Sequence, residues 1–440
     1  MSRLLEEFNI KRNIQNNVVN DYTAFKDKNL LDDFRLRILE DLSDKGLIEQ
    51  YVNKDLINSE IDDITYGYDL SNQERSYLFH LIDGEVNGYG PITELLNDDN
   101  ITEIMVNSPD EVFVEIDGKI ERDMSVSFIN DRHIIRTIER LIEPSGKTID
   151  VNKPMVDARL KDGSRFNAII PPLSDGPVMT IRKFRKNIVT MEDLIRNGTL
   201  TPYMARFLEA AVKAKLNIII SGAAGAGKTS VLNILGEYID DKERIITIED
   251  VRELRLNKSN LVSLETRSAN YDGVGEVTMR SLVRNAMRMR PDRIIVGEVR
   301  GNEAYDMLQV MNTGHDGSIT TIHANNVKDA MTRLETMVLM DGLEVPIRAM
   351  REYINNAIDL VVHIARMRDG RRKITNISEL VGVKNEELVL KTIFDFRNEG
   401  LNDKNIVQGE FVLEKYVPKV LDKIRNEGIY DLDDIFKKSK

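Results

Sequence analysis

The sequence predicts a mixed α/β fold whose C-terminal half is built on a largely parallel sheet, and three patterns carry that expectation. The first is an apolar run, Ile218-Ile219-Ile220, that leads directly into Gly222-Ala223-Ala224-Gly225-Ala226-Gly227-Lys228-Thr229 and then into the helix-compatible Val231-Leu232-Asn233-Ile234-Leu235. The second is a succession of further apolar strands at 244–248, 261–264, 293–296, 317–322 and 359–364, several of them separated by helical segments. The third lies upstream, where two runs of alternating apolar residues each turn at Asp-Gly, the pattern of half-buried antiparallel hairpins.

In chain order, residues 1–87 read as a polar arm and a small helical bundle. Phe34, Ile38, Leu39 and Leu42 share one helical face, and Ser71-Asn72-Gln73-Glu74 is a capping-box pattern ahead of Tyr77, Leu78, Leu81 and Ile82. From Gly88-Tyr89-Gly90-Pro91 the period changes. Val112, Val114 and Ile116 alternate up to Asp117-Gly118, and Val156, Ala158 and Leu160 lead through Asp162-Gly163 into Phe166, Ala168 and Ile170. Between the hairpins, Ile134, Ile135, Ile138, Leu141 and Ile142 mark a helix that covers their sheet, giving an α+β domain over 88–185. Residues 186–198, with Thr190 as N-cap, read as a hinge linker, and 199–440 as a phosphate-loop domain with a C-terminal extension. The extension offers a turn at Asp369-Gly370, short strands such as Lys391 to Phe396, and a charged end from Asp431.

Composition limits the function. At 440 residues the chain exceeds one core, and its 41% hydrophobic and 30% charged residues describe a soluble globular protein. A formal charge of -12 argues against non-specific nucleic-acid binding. No run reaches the roughly 18 apolar residues of a membrane helix, and Glu6-Glu7 stands where a signal peptide would be apolar. A cytoplasmic chain that touches a membrane only through partners is expected. Without cysteine there is no disulfide or thiol chemistry.

The chemistry begins at the glycine-rich segment. Small residues from Gly222 to Gly227 let backbone N–H groups turn inward around phosphate oxygens, and the helix entered through Lys228, Thr229 and Ser230 adds the positive end of its dipole. Lys228 reaches the β/γ-phosphates and Thr229 offers its hydroxyl to Mg²⁺. Hydrolysis also needs a group acting on water and charge stabilisation of the transition state. Three carboxylates follow the strand Ile246-Thr247-Ile248, in Glu249-Asp250-Val251-Arg252-Glu253; Glu253 is the general-base candidate and Glu249 a candidate ligand of the magnesium shell. The strand Ile294-Ile295-Val296 ends in Gly297-Glu298 where a Walker B strand usually ends in Asp, and Glu298 would reach magnesium through a water. His315 and His323 are too far apart in sequence for an ordinary zinc pattern, whereas His323, at a strand end, suits a sensor of the γ-phosphate. Arg280, Arg284 and Arg288 recur every fourth residue on the helix whose other face is Met279, Leu282, Val283, Ala286 and Met287. Such like-charge spacing suits either an acidic surface, as at a subunit interface, or a solvated face.

Together the phosphate loop, Thr247-Ile248-Glu249-Asp250-Val251-Arg252-Glu253, Arg290 to Arg300 and Thr313 to Asn325 resemble the Walker A, Asp box, Walker B and His box of type II/IV secretion and type IV pilus ATPases. Within that superfamily, Asp157-Ala158-Arg159-Leu160, Gly163 to Ala168, Pro171-Pro172, Thr180-Ile181-Arg182-Lys183-Phe184 and Gly273-Val274-Gly275 resemble the CpaF-type motors of Tad (Flp) pilus assembly, over about residues 88–365. The resemblance implies a RecA-like ATPase domain behind a sensor-like N-terminal domain, ATP and Mg²⁺ as cofactors, and a homo-hexameric ring acting on inner-membrane platform proteins at the cytoplasmic face of the membrane. It places the catalytic glutamate on Glu253, the Walker B glutamate on Glu298, the His-box histidine on His323, and γ-phosphate arginines on Arg165 and Arg182. The function expected is a motor ATPase for pilus assembly, with retraction also open to it. A DNA-transfer ATPase of conjugation and a low-turnover nucleotide-gated scaffold are the alternatives.

Overall fold

The structure, a computed structural model, describes residues 28–46, 52–116, 118–124, 126–184, 189–267, 269, 274–340, 345–429 and 432–437. The polar arm, Asp117 of the first expected turn, the start of the expected hinge, Gly273 and Asp431 lie outside the described residues. The chain divides into two compact units, Met1–Asn187 and Ile188–Lys440. Among the described residues no helix is long and apolar enough to cross a membrane.

In the first unit, helices Lys28–Asp44, Lys54–Ile64 and Asn72–Asn87 bury Phe34, Ile38, Leu42, Ile57, Ile61, Leu78 and Ile82 against one another. The expected capping box is present: Ser71 Oγ accepts from Glu74 N at 3.2 Å while Ser71 N donates to Glu74 Oε2 at 2.8 Å. Buried Glu85 joins this bundle to the helix Asp131–Ile142, pairing with buried Arg35 through one oxygen and with His133 Nε2 at 2.9 Å through the other. Burial raises the cost of its charge, but His133 and Arg35 hold its pKa below the ordinary value.

That helix covers an antiparallel sheet of β1 (Ile101–Ser108), β2 (Glu111–Ile116), β3 (Lys119–Asp123), β4 (Met155–Arg159), β5 (Arg165–Ile169) and β6 (Val178–Arg182), in the order β3-β2-β1-β6-β5-β4. The two expected hairpins are its flanks, and β1 with β6 joins them at the centre. A register shift between Ile101 and Glu103 puts Ile101, Ile104 and Val106 out of strict alternation, which conceals β1 from a period-two reading.

The second unit starts with structure where a linker was expected: Met191–Arg196 is a helix, capped by Thr190 and Asp193 in a capping box. Its sheet comprises β7 (Ile218–Gly222), β8 (Ile245–Glu249), β9 (Leu261–Glu265), β10 (Arg293–Val296), β11 (Ile319–His323), β12 (Leu360–Arg366), β13 (Arg372–Lys384), β14 (Glu387–Leu401) and β15 (Val407–Leu413). The order is β15-β14-β13-β12-β7-β11-β10-β8-β9, parallel from β12 to β9 and antiparallel from β12 to β15. Both faces of the central parallel strands are covered, which is why those strands are predominantly apolar. Ile218, Ile220, Ile245, Ile295 and Ile319 pack under helices Pro202–Lys213 and Lys228–Gly236. Ile219, Ile246, Ile248, Ile294, Val296 and Ile322 pack under Met279–Ala286, Glu303–Asn312, Val327–Leu339 and Ile347–Ala357. In place of short strands, the extension holds β13 and β14 of 13 and 15 residues.

Candidate active site

β7 carries the chain into the phosphate loop at the carboxyl end of the sheet, where its neighbour β11 also ends. Gly227 opens the helix Lys228–Gly236 with φ 104°, a left-handed conformation suited to glycine, and with no side chain to cap the helix it leaves the first N–H groups for a ligand. Lys228 is buried; its Nζ donates to Ala223 O at 3.1 Å and to His323 Nδ1 at 3.3 Å. His323 is the last residue of β11 and the register partner of Gly222, so strand pairing sets it beside the loop. Its Nε2 lies 2.9 Å from Glu298 Oε1. An ammonium only donates, so Nδ1 accepts and the ring proton sits on Nε2, directed at the carboxylate. Burial and the Lys228 charge push His323 below the ordinary imidazole value against the pull of Glu298, which keeps the ring neutral at pH 7.

Glu249, the last residue of β8, is 4% exposed. Its Oε1 accepts from the backbone N–H of Glu253 at 2.8 Å and Leu254 at 2.9 Å, so this carboxylate shapes the turn that presents Glu253. Burial outweighs those two bonds and raises its pKa to about 7, with the nearby Glu253 charge adding to the rise. The third carboxylate of the cluster, Asp250, is paired with Arg300 and accepts from Thr266 Oγ1 at 3.2 Å.

The Gly-Glu ending of β10 has a steric cause. A Cβ on Gly297 would stand 2.9 Å from Glu249 Cγ, so the larger residue usual at that point of the strand has no room beside this Glu249. Lys228, Glu249, Glu298 and His323 therefore come from four adjacent strand ends, with Thr229 and Ser230 in the first helical turn. A magnesium-bound triphosphate fits this donor set. The loop and helix supply N–H groups and Lys228, Thr229 supplies a hydroxyl, and Glu249 Oε2, buried without a hydrogen-bond partner, is an acceptor that a water of the metal shell would satisfy.

The arginine helix meets an acid within the chain. Arg280 Nε and Arg284 Nε each donate at 2.7 Å to opposite oxygens of Asp306, which is fully buried in the same chain. The acidic partner that the spacing demanded is thus intramolecular for two of the three arginines.

Arg165 and Arg182 lie in the first unit as direct register partners on β5 and β6. The same row continues to Arg159 on β4 and to Glu103 on β1, whose Oε1 lies 3.7 Å from Arg182 Nε. The position of Arg159 at the foot of the Asp162-Gly163 hairpin, opposite Arg165, is readable from the hairpin pattern. His363 has no sequence signal of its own: on β12 it pairs in register with Ser221 and its Nδ1 meets Ser221 Oγ at 2.9 Å.

A parallel sheet with a phosphate loop at a strand end and carboxylates on the neighbouring strand ends defines a P-loop nucleotide-binding protein. Residues 85–395 match the family described as type II/IV secretion system protein, more than half of the chain, and the chain belongs to that family. It is 36% identical over 303 residues to a putative conjugal transfer protein of Mycobacterium tuberculosis, covering 67% of this chain and 85% of that one. It is 34% identical to the type IV secretion system protein VirB11 of Brucella suis, covering 62% of this chain and 83% of the relative. The crystal structure of the VirB11 ATPase from the Brucella suis type IV secretion system is 31% identical with a TM-score of 0.37, covering 66% of this chain and 95% of that one.

Proposed function

We propose that the chain is a motor ATPase that hydrolyses ATP to drive Tad-type pilus assembly, working as a homo-hexamer on platform proteins at the cytoplasmic face of the inner membrane. The observation that carries hydrolysis is the line Lys228–His323–Glu298 one strand from the Glu249 turn that presents Glu253. Lys228 leaves Ala223 O and His323 Nδ1 for the β/γ-phosphate oxygens. His323 then loses a partner, and occupancy of the loop is passed to Glu298 through the ring. Thr229, Glu298 and Glu249 would hold Mg²⁺, which would supply charge neutralisation at the phosphates. Glu253 takes the proton of the attacking water, while Arg165 and Arg182 bring positive charge to the γ-phosphate when the cycle requires it. Phosphate release at saturating MgATP tests this. Glu253→Gln is expected to slow turnover by about 10²- to 10⁴-fold; unchanged turnover refutes the base assignment, and a wild type that binds ATP without turnover supports a nucleotide-gated scaffold.

The names of the relatives favour a second reading, an ATPase of conjugative transfer, since a TrbB conjugal transfer protein of Rhizobium radiobacter is 32% identical over 295 residues. The charge of -12 supports the pilus reading over direct contact with DNA. Neighbouring genes for pilin, prepilin peptidase and platform proteins would decide for the pilus, and a relaxase with mating-pore genes for conjugation.

A further inference from the structure

Three of the strand-end groups, His323, Glu298 and Glu249, stand on one flank of the phosphate loop. β11 borders β7 with His323 beside Gly222, and beyond it β10 and β8 supply Glu298 and Glu249. On the opposite flank β12 borders β7, runs past the loop to Arg366, and returns as β13, which begins at Arg372. The turn between them is tied by Met367 N to Arg371 O at 2.7 Å and Gly370 N to Met367 O at 3.0 Å. Asp369 draws Arg371 away from the loop, accepting from its Nε at 2.7 Å, while Arg371 Nη2 donates to Val407 O at 2.8 Å. Arg372 turns the other way. Its Nη2 donates to Gly225 O at 3.4 Å, and its Cδ is 3.3 Å from where a Cβ on Gly227 would stand.

A nucleotide whose γ-phosphate meets the His323 flank must send its α-phosphate, ribose and base toward the β12–β13 flank. We propose that Arg372 is a nucleotide-binding residue that grips the nucleoside end of ATP, its ribose and base, apart from the γ-phosphate machinery. The inference rests on the reading that the loop binds ATP. A guanidinium suits this place because its face stacks on a purine while its planar donors reach ribose oxygens, two things a lysine cannot do together. The bare loop glycines let its stem lie against the backbone, so the head reaches whatever leaves the loop on that side.

Titration of the full chain with ADP and with inorganic pyrophosphate separates the possibilities. Pyrophosphate carries the part of the ligand the loop cradles and lacks the part assigned to Arg372. Arg372→Ala is expected to raise the Kd for ADP by about tenfold or more and to leave that for pyrophosphate within about twofold. If ADP affinity is unchanged, or if both ligands weaken equally because Arg372 only shapes the loop through Gly225, the inference is overturned. A wild type that binds neither ligand removes the ATP reading itself, a distinct outcome. Should thermal melting show that Arg372→Ala does not fold, Arg372→Lys carries the test: an ADP Kd raised several-fold with pyrophosphate unaffected supports the inference, and wild-type ADP affinity contradicts it.

Discussion

The nine-stranded sheet joins two regions built on opposite rules. From β12 to β9 the strands are parallel and mostly apolar, and the candidate site groups lie at or beyond their ends: Lys228 past β7, Glu249 on β8, Glu298 just past β10, His323 on β11. From β13 to β15 they are antiparallel and half-exposed, and their notable polar groups serve packing. Lys373 is bonded to Gly198 O and sits 5.5 Å from the ring centres of Phe396 and Phe411, with burial lowering its pKa. Buried Glu379 accepts from Tyr416 OH at 2.5 Å and from Val420 N at 2.7 Å, anchoring the helix Val420–Asn426. The contrast teaches that in this sheet the candidate site groups gather at parallel strand ends, and that the antiparallel half touches the loop through Arg372.

That contrast can be broken by substitutions that separate rate from stability. The largest effect belongs to Lys228→Ala, expected to lower kcat/KM for MgATP by about 10³-fold or more with little change in melting temperature, because a transition-state cation is lost from a strand end. Phe394→Ala is the converse. Its ring lies 5.7 Å from Phe207 and 6.3 Å from Phe436 in the core beneath the antiparallel half, and denaturant unfolding should show a loss of about 3–5 kcal/mol with kcat at saturating MgATP retained.

Glu249 sharpens the comparison through pH. Its folded pKa of about 7 stands above the ordinary 4.5, so its contribution to stability is fully present below pH 4.5 and is lost as pH rises through 7. Glu249→Gln imitates the protonated form. Relative to that variant, the wild type should lose stability across this window by an amount on the order of 3 kcal/mol, seen in chemical denaturation at several pH values. A difference between the two proteins that stays flat with pH contradicts the assignment. The smallest effect is that of Gly297→Ala, expected to cost about 1–3 kcal/mol as its methyl displaces Glu249; pairing it with Glu249→Ala should recover most of the loss, and an unchanged cost in that background would show that the clash lies elsewhere.

The sequence is most legible where local pattern and tertiary role agree. β7, β8, β10 and β11 are short, mostly apolar runs that end at glycine, glutamate or histidine, and both faces of each are buried, so run length locates them. The capping box at Ser71 and the N-cap at Thr190 are readable because each depends on residues three apart, and the structure completes the second into a box with Asp193. What stayed hidden depends on partners distant in sequence. The lengths of β13 and β14 come from pairing across a hairpin with two register shifts, which spoil simple alternation. The acid that pairs with Arg280 and Arg284 is 22 residues beyond the second of them, on another helix. The Gly297 ending is explained by Glu249, on a neighbouring strand, and Arg372 meets the loop across 147 residues of chain. Motif spacing indicates which residue types assemble; strand order decides which flank each one reaches.

The most direct test of a single hydrolytic site at the strand ends is kcat for MgATP in His323→Ala, Glu298→Gln and the double variant, since the two side chains meet at 2.9 Å. Groups acting as one unit lose their effect together, so the double variant is expected to turn over about as slowly as the slower single variant. Two losses that multiply, or single variants as fast as the wild type, would contradict it.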